Sequence, residues 1–61
     1  MDIRVGDIVN IVNENGSWLV QEIKGQYCTC IECSDSGIGN RIITVAKNMI
    51  NCKLGNTDIW K

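Results

Sequence analysis

The chain has 61 residues, 44% of them hydrophobic and 21% charged, with a net charge of −1. That is enough for one small core, and it excludes a disordered chain or a polybasic nucleic-acid binder. There is no His and no Pro, so His-based acid–base chemistry, Ser-His-Asp and Cys-His nucleophiles and any His-ligated metal are excluded.

Turn signals at Gly6-Asp7, Asn15-Gly16, Gly25-Gln26, Asp35-Ser36-Gly37 and Gly55-Asn56 separate short runs rich in Ile, Val, Thr, Tyr and Trp. This rhythm predicts an all-β fold. The first strand is expected over 7–13. Its Ile8-Val9-Asn10-Ile11-Val12-Asn13 repeat has period three and would also suit a short helix, but β-branched residues fill four of the six positions and favour a strand. Asn15-Gly16 suits a two-residue type I′ turn. Strands follow over 17–24 and 26–33, joined by a hairpin in which Gly25 supplies the left-handed residue. The last two strands are expected over 41–45 and 50–54, linked by a 3₁₀ turn at residues 46–48. Residues 55–61 form a tail without strand pattern, in which Ile59 and Trp60 are too apolar for full solvation. They are expected to fold back on the domain or to contact another chain.

The core is expected from Val9, Ile11, Val20, Ile23, Cys28, Cys30, Ile43, Val45, Ile50 and Cys52. Val20 and Ile23 have opposite parity, so a bulge or the strand end must re-aim one of them.

The start Val5-Gly6-Asp7-Ile8-Val9, the hairpin, Trp18-Leu19-Val20-Gln21-Glu22-Ile23-Lys24-Gly25 and then Tyr27-Cys28-Thr29-Cys30-Ile31 resemble the opening of KOW-type SH3-like barrels. Ile42-Ile43-Thr44-Val45, a short turn and Met49-Ile50-Asn51-Cys52 resemble the last two strands of such a barrel. The resemblance spans residues 5–54. It implies a five-stranded SH3-like barrel with a short 3₁₀ turn before the last strand. The chain lacks the acidic, aromatic-rich first loop and paired aromatics of signalling SH3 domains, which argues against a Pro-rich ligand.

Four cysteines (Cys28, Cys30, Cys33, Cys52) raise the question of a zinc-stabilised domain. Cys28 and Cys30 share a strand face, Cys33 has the other parity and Cys52 has no near partner. The expectation is that Cys28, Cys30 and Cys52 serve as small buried hydrophobes, with no metal and no cofactor. A catalytic cysteine would need a base or cation to stabilise its thiolate, and no constellation for catalysis is visible.

Residues 1–36 carry six acids and two bases, whereas residues 37–57 carry Arg41, Lys47 and Lys53 and no acid. These three cations could line a basic edge for phosphates if the last two strands were neighbours. Trp18 is expected as a partly exposed lid on the core and, with Trp60, as an anchor for a protein partner.

The expected function is a non-enzymatic interaction module, binding a protein partner or a second copy through loops and an edge strand. The alternatives are a KOW-type nucleic-acid-associated barrel using Arg41, Lys47 and Lys53, and a cysteine-based zinc domain. No apolar run approaches the roughly 20 residues of a membrane helix, and Met1-Asp2-Ile3-Arg4 opens no secretory signal. A cytoplasmic location without membrane contact is therefore expected.

Overall fold

The period-three run after Gly6 resolves as a strand, β1 (Asp7–Ile11), in the computed structural model, which describes residues 3–34 and 36–56. It is followed by β2 (Ser17–Lys24), β3 (Tyr27–Ser34), β4 (Gly37–Ala46), a 3₁₀ turn (Lys47–Met49) and β5 (Ile50–Asn56). The strands make one antiparallel sheet in the order β4-β3-β2-β1-β5. The sheet is not closed: β4 and β5 are its two edges. The all-β reading and the 3₁₀ turn before the last strand hold. The turn lies one residue later than expected.

Local chemistry explains the connections. The β1–β2 loop is not the two-residue turn that Asn15-Gly16 suggested. Asn13 takes the left-handed conformation (φ 69°) within a turn closed by the Glu14 N–H donating to the Ile11 carbonyl at 3.1 Å. Asn tolerates positive φ better than other residues with a side chain, so β1 stops before Val12. The β2–β3 hairpin is tight, with Lys24 opposite Tyr27 and Gly25 at φ 58°. β4 begins four residues earlier than the expected start at Arg41, because Gly37 and Ile38 pair with Ser34 and Cys33. Three residues, Gly39, Asn40 and Arg41, then stand against Glu32 alone. A Cβ at Gly39 would displace the Glu32 carboxylate.

Bulges decide which side chains face inward. Val20 pairs with Cys30 and Glu22 with Thr29, so Gln21 is an extra residue. That bulge restores Ile23 to the face of Val20, opposite Cys28, as their parity required. In β5, Ile50 pairs with Ile11 but Cys52 pairs with Asn10, so Asn51 is the extra residue. This second bulge turns Cys52 outward, and it is exposed, correcting its assignment to the core.

The core cluster is Ile3, Val9, Ile11, Trp18, Val20, Cys28, Cys30 and Ile50, with Ile23, Ile43, Val45 and Met49 packed against it. Trp18, expected as a partly exposed lid, is 1% exposed. It stands opposite Val9 on the inner face. Its indole N–H donates to the Asn15 carbonyl at 3.2 Å, and the Arg41 guanidinium covers the ring at 5.8 Å from the centroid. The five-residue loop and the β4 irregularity together roof the ring.

A core this small leaves little margin, about 3–5 kcal/mol in all. Ile11→Val is expected to cost about 0.5–1.5 kcal/mol, and Ile11→Ala, at about 2–5 kcal/mol, to leave the chain largely unfolded. Urea denaturation checks this: the Val variant should lower the midpoint at unchanged slope.

Candidate functional site

Asp7 is 0% exposed, the one buried charged residue among the described residues. Its Oδ2 accepts from the Arg4 backbone N–H at 2.8 Å, and its own N–H donates to the Arg4 carbonyl at 3.1 Å. The Asn56 side-chain amide donates to Oδ1 at 2.8 Å, and the Lys53 ammonium lies 3.4 Å from Oδ2. Burial alone would push this carboxyl up. The Arg4 N–H, the Asn56 amide and the Lys53 charge outweigh it and hold the carboxyl below its ordinary value. The group therefore joins the entry turn and β5 to β1. Nothing aims it at a substrate.

The basic residues do not form one edge. Arg41 is on β4 and Lys53 on β5, the opposite margins of the sheet, while Lys47 is in the 3₁₀ turn. Arg41 lies over Trp18 and 3.6 Å from Glu14, and Lys53 faces Asp7. Trp18 is a core residue, and Trp60 lies outside the described residues.

The thiols do not converge. All four are free, with Cys28, Cys30 and Cys33 buried and Cys52 exposed. Cys28 and Cys30 point into the core, while Cys33 belongs to the other face, opposite Ser17 and Ile38. Among the described residues no three Cys, Asp or Glu stand together as metal ligands. Burial pushes the Cys30 thiol up to about 11, with Cys28 adding to it. Burial also raises Cys33, and raises Cys28 against the opposing pull of Lys47. Thiolate at these three positions is scarce near neutral pH.

Exposed apolar side chains occur at Val5, at Val12, at Leu54 on β5, and around β4. The β4 sequence over ten residues holds one charge, Arg41. Ile38 is 57% and Ile42 56% exposed, and Tyr27 on neighbouring β3 is 59% exposed. From Ile42 to Ala46 the strand runs in unbroken register with Ile31 to Tyr27. At its start, a groove of about 420 Å³ opens between the β1–β2 loop and the β3–β4 hairpin, with Ser17, Glu32, Cys33, Ser34 and Ile38 in its wall. The other margin, β5, is interrupted by two register shifts and carries Lys53. Reading β4 as beginning at Arg41 concealed this surface, because two glycines in its first three residues read as a turn.

No helix among the described residues is long and apolar enough to cross a membrane. No protein-family model, curated protein or solved structure matches the chain.

Two outcomes are expected. Alkylation of the native protein should modify Cys52 alone and reach the other three thiols only on unfolding, read by intact mass. Asp7→Asn should cost about 1–3 kcal/mol at neutral pH by urea denaturation. Because the folded-state pKa of Asp7 is depressed, its contribution is fully present above the unfolded value. It is lost as pH falls through the folded value, so the variant should show a flatter acid limb.

Proposed function

We propose that the chain is a small non-enzymatic interaction module of the SH3-like barrel type, which takes a polypeptide partner by strand addition to β4. The strand order β4-β3-β2-β1-β5 and the 3₁₀ turn before β5 support the barrel reading. In this reading the barrel is a strongly bent sheet with open margins. One observation carries the binding mode: β4 is a ten-residue edge strand with Ile38 and Ile42 more than half exposed. Its regular half, Ile42 to Ala46, holds no charge, Pro or Gly to blunt it. An unprotected edge of this kind offers a row of backbone donors and acceptors to another strand. Exposed Ile42 and Tyr27 beside it supply apolar contacts on the same face.

The basic-edge alternative has less support, since Arg41 and Lys53 are engaged within the fold and lie on opposite margins. A zinc domain has less again, because the sulfurs face different ways.

Affinity purification with and without nuclease, read by mass spectrometry, tests the proposal together with sedimentation of the purified chain. The expected result is a protein partner, or a dimer, retained after nuclease treatment. Ile42→Lys should weaken it by on the order of tenfold, about 1.4 kcal/mol, with the far-UV spectrum unchanged. Capture that vanishes with nuclease, or an Ile42→Lys variant that binds as well as the parent, contradicts the proposal.

A further inference from the structure

The backbone of β4 presents its open hydrogen-bonding groups at fixed positions. From Ile42 to Ala46 the strand pairs in register with Ile31 to Tyr27, and just beyond it the Lys47 N–H donates to the Gln26 carbonyl at 2.7 Å. Opposed residues in an antiparallel ladder alternate between hydrogen-bonded and non-hydrogen-bonded pairs. Val45 and Ile43, in phase with Lys47, therefore turn their N–H and C=O groups toward β3. Ala46, Thr44 and Ile42 turn theirs to the open margin. The Thr29 and Thr44 hydroxyls stand 3.4 Å apart, in keeping with the closer side chains of a non-hydrogen-bonded pair.

These open groups are symmetric about Thr44, and the side chains suit the same symmetry. A second β4 laid antiparallel across a two-fold axis at Thr44 sets Ile42 opposite Ala46 and Thr44 opposite Thr44. Each of these pairs exchanges both backbone hydrogen bonds. Ile43 then meets Val45 on the inner side, where both already pack against the core cluster. On the outer side Ile42 gains Ala46 of the second copy, with that copy's Tyr27 one strand further on. Ala46 is small, so the Tyr27 ring can lean over it onto Ile42. The two side chains so joined, Ile42 and Tyr27, are each more than half exposed in the single chain. No charge falls within the paired stretch. A slide of one pair either way would set Ala46 against Asn40 or Ile42 against Asn48, beyond the regular stretch.

We propose that β4 pairs with β4 of a second copy of this chain, antiparallel about Thr44, to form a two-fold dimer. The proposal rests on the strand-addition reading and names its partner. A contact of this kind is isologous, so it closes on itself and covers the β4 edge of both copies at once. The paired stretch from Ile42 to Ala46 is short, so the dimer is weak and depends on concentration.

Sedimentation equilibrium of the full chain at concentrations up to about 1 mM tests this. The expected result is a reversible monomer–dimer equilibrium. In a mixed sample of labelled and unlabelled chains, the Ile43 Hα should show a cross-peak to the Val45 Hα of the other copy. Thr44→Lys and Thr44→Glu should each weaken the dimer several-fold, because like charges then meet on the axis. An equal mixture of the two variants should associate again. Thr44 is exposed, so the far-UV spectra should be unchanged. A chain that stays monomeric, contacts between copies that avoid Ile43 and Val45, or a Lys–Glu mixture that fails to associate would overturn the proposal. If a monomeric chain still captures a protein partner and loses it in Ile42→Lys, strand addition to β4 stands and only the second copy is excluded. A monomeric chain that captures nothing contradicts both.

Discussion

A charge with no access to water holds the ends of this fold together. Asp7 opens β1, and its carboxylate meets the backbone of Arg4, the amide of Asn56 and the ammonium of Lys53. Desolvation opposes an ionised group here, and the Arg4 N–H, the Asn56 amide and the Lys53 ammonium together outweigh it. The carboxylate so held couples the entry turn, β1 and β5. β5 is a margin of the sheet, bound to β1 through a ladder with two bulges, and this tether adds side-chain bonds from Lys53 and Asn56 to that ladder. Ile50, the β5 member of the core cluster, depends on β5 staying in place.

Bulges are the second constraint. A sheet that must wrap a core of eight residues needs its strands bent, and each extra residue bends a strand and reverses its facing. Gln21 keeps both Val20 and Ile23 inside. Asn51 keeps Ile50 inside and puts Cys52 out, where the Asn51 amide donates to the Asn10 side-chain oxygen at 3.2 Å. The three residues of β4 that face Glu32 bring Arg41 over Trp18. Beyond that irregularity, Ile42 to Ala46 form an in-register, uncharged stretch at the margin.

Much of the fold was legible because β-branched runs and glycine turns are local signals. Strand number, the limits of β2, the short turn before β5 and the bulge demanded by Val20 and Ile23 could all be read. The inward positions of Cys28 and Cys30 followed from their shared parity. Other features depend on pairing, which no single segment records. The Asn51 bulge that expels Cys52 is set by β1. The extension of β4 through Gly37 and Gly39 is set by β3. Trp18 is roofed by Arg41, which is 23 residues away in the chain. Of the site residues, Arg41, Lys47 and Lys53 were identifiable as cations, but their separation followed only from the strand order. Asp7 was visible as part of a turn and gave no sign of being buried.

The central claim is that Asp7 is ionised in the dry interior and holds β5 to β1 in that form. Carbon-detected NMR titration of the Asp7 side-chain carboxyl measures this directly. The account expects protonation below the ordinary value of 3.8, with loss of the β1–β5 cross-strand contacts as the proton is taken up. A carboxyl that titrates at or above 3.8, with those contacts intact on both sides of the transition, would contradict it.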